Sequence, residues 1–248
     1  MKKGIIVASF GTTYEETRKL CIESVENKII NEFKDIKVLR AFTSRMIVSR
    51  LKRRDNIHIL NEDEAIAQFK NEGIDDIYIQ PLHIINGFEY EKLLNKGAKV
   101  AKPLLSSDED FEKVVKIVNS DDLNKDEALV FMGHGSDHDA DELYKKLEDS
   151  YRENGYNNVY VATVEGEVTI EDVLSNIKEN NYKKIVLQPF MLVAGDHAIN
   201  DMASDEDDSW KSLVSEEGYE VEVRVKGLGE YEGIQDMYVE HLKDLMEE

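Results

Sequence analysis

The chain has 248 residues, and its 52 acidic and 31 basic side chains give a formal net charge of −21. So acidic a composition argues against a nucleic-acid partner, because phosphate backbones are bound by Lys and Arg. No apolar run approaches the roughly 18 residues that cross a membrane, the first one is too short for a secretion signal, and the single cysteine excludes an internal disulfide. We therefore expect a cytoplasmic protein with no membrane partner.

Apolar, β-rich runs alternate with amphipathic stretches along the whole chain. Strands are predicted at residues 4–9, 36–42, 76–82, 127–132, 157–162, 183–190 and 220–226. Helices are predicted at residues 14–31, 62–72, 89–100, 138–153, 169–179 and 230–247. Near-continuous apolar strands separated by helices are typical of parallel sheets that are covered on both faces. The sequence therefore predicts an α/β protein.

Two pairs of segments repeat each other in the same order. Residues 80–89 read QPLHIINGFE and residues 188–197 read QPFMLVAGDH, so that Gln-Pro opens both and glycine falls at the same offset. The strand at 5–12, IIVASFGT, aligns in turn with LVFMGHGS at 129–136. Chance similarity between buried strands would seldom give two matches in one order, which indicates an internal repeat.

The repeat divides the chain into two α/β halves, predicted at residues 1–115 and 120–248. In open parallel sheets, ligands bind beyond the carboxyl ends of the strands. Both repeated segments contain strand ends, so they bring loops to the rims of two related sheets. We expect a cleft between the halves, formed where the two rims face each other.

Two histidines of the second half stand where strands end. His134 and His197 each follow an apolar run closely and have glycines nearby, which allow a sharp turn or a close approach to a ligand. Two imidazoles at one rim suit a borderline divalent metal. A third ligand is needed for useful affinity with an open position. Glu165 directly follows strand 157–162 and is the candidate, with Glu167 as the alternative; ordinary loop roles remain open on these residues alone.

A set of ordered motifs resembles one known family. SFGTT, QPLHIINGFEYEK, MGHGS, VEG and DHAINDMASDEDDSWK span the chain and run in the order found in the CbiK family of anaerobic sirohydrochlorin cobaltochelatases. The resemblance implies two flavodoxin-like halves with parallel sheets, related by a pseudo-twofold axis, with the active site between them. It also implies a chelatase that needs neither ATP nor an organic cofactor.

The resemblance also implies roles for individual residues. His134, Glu165 and His197 match the metal ligands of the family, and Glu89 matches a carboxylate that lies across the cleft. The implied reaction is the insertion of Co²⁺ into sirohydrochlorin during anaerobic cobalamin biosynthesis. We expect His134 and Glu89 to be catalytic, with Glu89 accepting protons from the pyrrole nitrogens.

Sirohydrochlorin carries eight carboxylates, which an acidic protein must still attract. Arg45 follows strand 36–42 in a basic stretch, and an arginine can bind a carboxylate through two parallel hydrogen bonds. Phe10, Gly11 and Thr12 lie at the rim of the first sheet, just before a predicted helix whose first amide groups attract anions. These four residues are the predicted substrate contacts.

Two alternatives remain open. Imidazole and carboxylate ligands accept Fe²⁺ and Ni²⁺ as well as Co²⁺, so the chain also fits a sirohydrochlorin ferrochelatase or a nickel chelatase. A protein that carries a tetrapyrrole or a metal without inserting it would need the cleft but not Glu89.

Overall fold

The structure, a computed structural model, describes residues 2–247 in two compact units. The first unit comprises the residues up to Ser106 together with those from Gly229 onward, and the second unit comprises Ser107–Leu228. Within residues 2–247, each unit holds one four-stranded parallel sheet. This confirms the predicted α/β fold.

The strands are β1 (Lys3–Ser9), β2 (Lys37–Phe42), β3 (Asp76–Pro81), β4 (Lys99–Val100), β5 (Glu127–Gly133), β6 (Val159–Thr163), β7 (Lys184–Pro189) and β8 (Glu220–Val223). The α-helices are α1 (Glu15–Thr17), α2 (Ser24–Glu32), α3 (Arg45–Asp55), α4 (Glu62–Asn71), α5 (Phe88–Glu91), α6 (Asp108–Ile117), α7 (Glu142–Glu153), α8 (Ile170–Ile177), α9 (Trp210–Glu216) and α10 (Glu232–Glu247). Turns of π-helix cover Arg18–Glu23 and His197–Met202, and 3₁₀ turns cover Asp139–Asp141 and Leu228–Glu230.

The two sheets share one topology, which confirms the internal repeat. The first sheet has the order β2-β1-β3-β4 and the second has the order β6-β5-β7-β8. Even the hydrogen bond just beyond the third strand is repeated, since Leu82 N donates to Ala8 O and Phe190 N donates to Met132 O, both at 2.7 Å. Leu82 is aligned with Phe190, and Ala8 is aligned with Met132, so the sequence match reflects the same strand register in both sheets.

The last helix belongs to the first unit, whereas the sequence division assigned it to the second half. Helix α10 packs on α2 and β3 and buries Ile234, Met237 and Leu242. Its buried Tyr238 hydroxyl donates to Leu82 O at 3.3 Å. Helix α6 joins the second unit, where it packs on α7, so the chain crosses between units near Ser106 rather than at residues 115–120.

The helix predicted at residues 89–100 is wrong. Helix α5 ends at Glu91, and the chain then turns through Asn95 (φ 59°) and Gly97 (φ 75°), conformations that do not continue a right-handed helix. The following residues form β4, a short edge strand that pairs with β3. Helix α3, which is absent from the predicted helix ranges, begins at Arg45 and is capped by Ser44, whose hydroxyl accepts from Ile47 N at 3.4 Å.

Alternate residues of the strands fill a core in each unit. Ile6, Ala8 and Ile79 pack against Phe69 of α4 in the first unit. In the second unit the corresponding core contains Val130, Met132, Ile185 and Leu187 with Trp210 of α9. Within residues 2–247, no helix has the length and apolar composition needed to span a membrane.

Candidate metal centre

Glycines shape the loop that carries His134 at the end of β5. A Cβ built on Gly133 would lie 2.5 Å from Cε1 of Tyr144, so the aromatic ring packs directly on the backbone there. Gly135 has φ 75°, and a Cβ on it would lie 2.4 Å from Gly166 N. Gly133 therefore makes room for the Tyr144 ring, and Gly135 lets the His134 loop lie against the loop that follows β6.

The loop after β6 continues alongside the His134 loop beyond the last paired strand residues. Val164 N donates to Gly133 O at 3.1 Å, and Glu165 N donates to His134 O at 2.8 Å. Since the two residues are joined through their backbones, the Glu165 carboxylate is carried next to the imidazole. His134 Nδ1 and Glu165 Oε2 are 3.9 Å apart.

The third side chain comes from the π-helical turn that follows β7. His197 opens this turn, and its Nδ1 lies 2.5 Å from Oδ2 of Asp201. The rings of His134 and His197 meet edge to face, with centroids 4.9 Å apart and planes at 89°. The loops after three neighbouring strands thus converge at one rim of the second unit.

His134, Glu165 and His197 each offer a potential ligand atom, and these atoms all lie within 4.8 Å of one another. A metal with ligands at 2.0–2.2 Å would hold them about 3–3.5 Å apart, so the group must draw together by about 1 Å. The Glu165 side chain is 58% exposed and can move to do so. The alternative ligand Glu167 is exposed and lies outside this group.

One carboxylate braces two of these loops. Asp141 accepts hydrogen bonds from Ser136 N and Ser136 Oγ, both at 2.8 Å. A Cβ on Gly166 would lie 2.4 Å from Oδ2 of the same carboxylate. One helical turn later, Tyr144 interacts with the backbone of His134 and Gly135, and burial raises the pKa of its phenol well above the usual range. Neither Asp141 nor Tyr144 was predicted from the sequence.

The predicted substrate contacts of the first unit follow β1. Phe10 is 41% exposed. Gly11 has φ 95°, and a Cβ on it would lie 2.4 Å from the ring of Phe42. Thr12 is buried, and its hydroxyl accepts from Tyr14 N at 3.1 Å, so it closes the turn before α1.

Glu89 lies in the first turn of α5. Its Oε2 accepts from the buried Thr43 hydroxyl at 2.6 Å, and its Oε1 forms an ion pair with Lys92. The side chain of Glu89 remains 30% exposed. A hydroxyl and an ammonium group therefore fix this carboxylate at the carboxyl-end rim of the first sheet. Neither partner was predicted, although Lys92 follows by the three residues that bring side chains together on a helix.

Arg45 is engaged within its own unit. Its guanidinium binds Glu62 through two hydrogen bonds, of 2.7 and 2.6 Å. The Glu62 side chain is 1% exposed, and Lys96 Nζ adds a third bond at 3.2 Å. Burial raises the pKa of Glu62, but the bonds from Arg45 and Lys96 outweigh it and leave that pKa below its usual value.

His83 follows β3 and is buried without use of its ring nitrogens. Neither nitrogen has a hydrogen-bond partner among residues 2–247. Burial lowers the pKa of this imidazole to about 4, while the Glu89 charge opposes the shift weakly. His83 is therefore uncharged at neutral pH and serves as a packing residue. Met191, at the equivalent position of the repeat, packs against the core of the second unit.

Comparison with known proteins identifies the family. The model of the family described as cobalt chelatase (CbiK) matches residues 3–247. The chain belongs to the CbiK cobalt chelatase family. It is 36% identical to the sirohydrochlorin cobaltochelatase of Salmonella typhimurium, over 98% of this chain and 96% of that protein. It is 31% identical to the sirohydrochlorin cobaltochelatase CbiKC of Nitratidesulfovibrio vulgaris, over 97% of this chain and 89% of that protein.

Solved structures show the fold of this CbiK member in more distant proteins. SirB from Bacillus subtilis, with Fe³⁺, matches with a TM-score of 0.68 at 12% identity, over 99% of this chain and 96% of that one. CbiX, described as the terminal enzyme for siroheme biosynthesis in denitrifying bacteria, matches with a TM-score of 0.58 at 14% identity, over 97% and 98% of the two chains. At these identities the likeness establishes a chelatase fold alone.

Proposed function

We propose that this chain is a cytoplasmic, ATP-independent chelatase that inserts Co²⁺ into sirohydrochlorin, the reaction for which its CbiK relatives are named. The observation that carries the proposal is the convergence of His134, Glu165 and His197 at one rim of the second unit. Co²⁺ is a substrate here, so the site must bind it and then release it to the macrocycle.

The donor set fits a metal that is passed on. Imidazole and carboxylate groups bind borderline divalent ions, whereas thiolates prefer softer metal ions and bind them more tightly. The only cysteine, Cys21, is buried in a π-helical turn of the first unit and takes no part in the group. The side chains of His134 and Glu165 are 44% and 58% exposed, so an incoming macrocycle can reach the metal.

Insertion replaces two pyrrole N–H protons with the metal, so it needs a proton acceptor. Glu89 is the proposed acceptor, because its carboxylate is ordered by Thr43 and Lys92 yet still partly exposed. His134 is the second proposed catalytic residue. When its ring nitrogen releases the metal, that nitrogen is free to accept a proton beside the reacting centre.

The first unit supplies the proposed contacts to the macrocycle. The exposed ring of Phe10 offers an apolar surface to a flat tetrapyrrole, and Gly11 holds the turn beside it, where the Phe42 ring fills the space that a side chain would need. Thr12 and Arg45 already have partners in the protein, so we assign them to shaping this rim. Arg45, 49% exposed, keeps one face for a substrate carboxylate.

Cobalt insertion is tested by visible spectroscopy with sirohydrochlorin and Co²⁺, in a buffer free of nucleotide, with and without the protein. His134→Ala and His197→Ala should each abolish catalysed insertion and weaken Co²⁺ binding by at least about tenfold. Glu167→Gln is the matched control, since this nearby acidic residue lies outside the group. Unchanged cobalt affinity in a histidine variant would remove that residue from the ligand set.

The same assay separates the alternatives. Faster turnover with Fe²⁺ or Ni²⁺ than with Co²⁺, at matched free metal concentrations, would reassign the metal. A spectral change on mixing sirohydrochlorin with the protein, without turnover of any metal, would indicate a carrier.

A further inference from the structure

The hydrogen bond between His197 and Asp201 fixes more than the position of one ring. The two residues are four apart in the π-helical turn His197–Met202, and their Nδ1 and Oδ2 atoms are 2.5 Å apart. A carboxylate accepts hydrogen bonds and does not donate them when it is ionised. The proton of a neutral His197 ring therefore sits on Nδ1, and the lone pair of Nε2 stays available for a ligand.

His134 is held in the same tautomer by a weaker acceptor. Its Nδ1 lies 2.8 Å from Gly135 O, a carbonyl that can only accept. Both imidazoles consequently offer Nε2. They differ in the group behind them, which is a carboxylate for His197 and a backbone carbonyl for His134.

The other carboxylates of this segment have different surroundings. Asp205 forms an ion pair with Lys211, and Asp207 is exposed to solvent. The acidic run at 205–208 is thus a solvated surface, whereas Asp201 is directed at a side chain of the metal group. The contact with His197 is therefore specific to Asp201 rather than a general effect of local negative charge.

We propose that Asp201 is a positioning residue that holds His197 in the Nδ1–H tautomer and presents its Nε2 to the metal. The inference rests on the metal role proposed for His197. Without Asp201 the ring is free to rotate and to adopt the Nε2–H form, which histidine prefers in water. Metal binding must then first displace that proton or turn the ring, which weakens the site.

The first test reads the tautomer in the absence of metal. Long-range ¹H–¹⁵N NMR of ¹⁵N-histidine protein, at mildly alkaline pH, reports which ring nitrogen carries the proton. The intact protein and Asp201→Asn, which keeps an acceptor oxygen, should show His197 as Nδ1–H. Asp201→Leu should shift His197 toward Nε2–H, and Asp207→Asn should leave it unchanged. An unshifted His197 signal in Asp201→Leu overturns the proposal.

The second test is a titration with Co²⁺ alone, followed by the visible d–d bands of the bound ion. The Kd should rise by about 10- to 100-fold in Asp201→Leu, the range for loss of a group that orients a ligand, and by less in Asp201→Asn. The Kd of Asp207→Asn should match that of the unaltered protein. Equal affinities in Asp201→Leu and Asp207→Asn would mean that Asp201 is a structural surface residue.

Neither measurement requires cobalt insertion, so the two proposals fail separately. A protein that binds Co²⁺ but does not insert it into sirohydrochlorin contradicts the proposed function, and the role of Asp201 can still be measured. Full insertion activity with an unchanged tautomer in Asp201→Leu contradicts the role of Asp201 and leaves the function standing.

Discussion

Replacement of His83 by methionine should stabilise the protein in mild acid. In the folded protein, burial lowers the pKa of this imidazole to about 4, against 6.5 for the free side chain. Between these values the unfolded chain binds a proton that the folded chain does not, so folding stability falls as the pH drops from about 6.5 to about 4. Above pH 6.5 both states are neutral and the group contributes no pH dependence.

The size of the effect follows from the shift. A difference of about 2.5 pKa units at about 1.4 kcal/mol per unit gives about 3 kcal/mol of stability lost across this window. Methionine is the natural replacement because Met191 stands at the equivalent position after β7. It also removes two ring nitrogens that lack hydrogen-bond partners among residues 2–247, which should add to stability at every pH.

The assay is urea unfolding of both proteins at several pH values between about 7.5 and 4.5. The difference in unfolding free energy between His83→Met and the unaltered protein should grow as the pH falls. His58→Met is the control, because His58 is exposed. Parallel curves for His83→Met and the unaltered protein across the window would refute the assignment of His83 as a buried neutral imidazole.

Three further substitutions test other parts of the structure. Arg45→Ala should lower the unfolding free energy by about 1–3 kcal/mol, because buried Glu62 loses two charged hydrogen bonds. The loss should lie toward the lower end of this range, because the arginine side chain is 49% exposed. Glu89→Gln should reduce cobalt insertion by about 10²–10⁴ in kcat while Co²⁺ affinity without tetrapyrrole stays constant. Gly135→Ala should weaken Co²⁺ binding and cost more than the ~1–2 kcal/mol of a left-handed residue, because its Cβ would lie 2.4 Å from Gly166 N.

Each of these has a matched control within the same region or conformation. Arg50→Ala removes an exposed arginine of the same helix and should leave stability nearly unchanged. Glu91→Gln makes the same chemical change in the turn that holds Glu89. Gly155→Ala also strains a positive φ, of 93°, but has nothing within 4 Å of its Cβ, so Co²⁺ binding should be unaffected. Equal effects in a variant and its control would contradict the corresponding assignment.

The sequence was most informative where periodicity and repetition act together. Apolar runs predicted seven of the strands, and the Gln-Pro repeat predicted that β3 and β7 are equivalent. Strand ends of a parallel sheet meet at one rim, which is why the sequence alone groups His134, Glu165 and His197. The distance between His134 and Glu165 then follows from backbone pairing between their two loops.

Side-chain partnerships were harder to predict because they depend on contacts between distant parts of the chain. Glu62 follows Arg45 by 17 residues, and Thr43 precedes Glu89 by 46. Only a folded sheet brings such pairs together. Asp201 and Lys92 are exceptions, since their spacings of four from His197 and three from Glu89 are local signals.

The path of the chain between the units has a consequence for biosynthesis. The second unit is continuous, whereas the first needs α10 to cover α2 and β3. Until α10 has left the ribosome, the surface that receives Ile234, Met237 and Leu242 stays open to water. The second unit, although translated later than most of the first, is thus able to complete its core earlier. Chaperone demand during translation should therefore concentrate on the half that is made first.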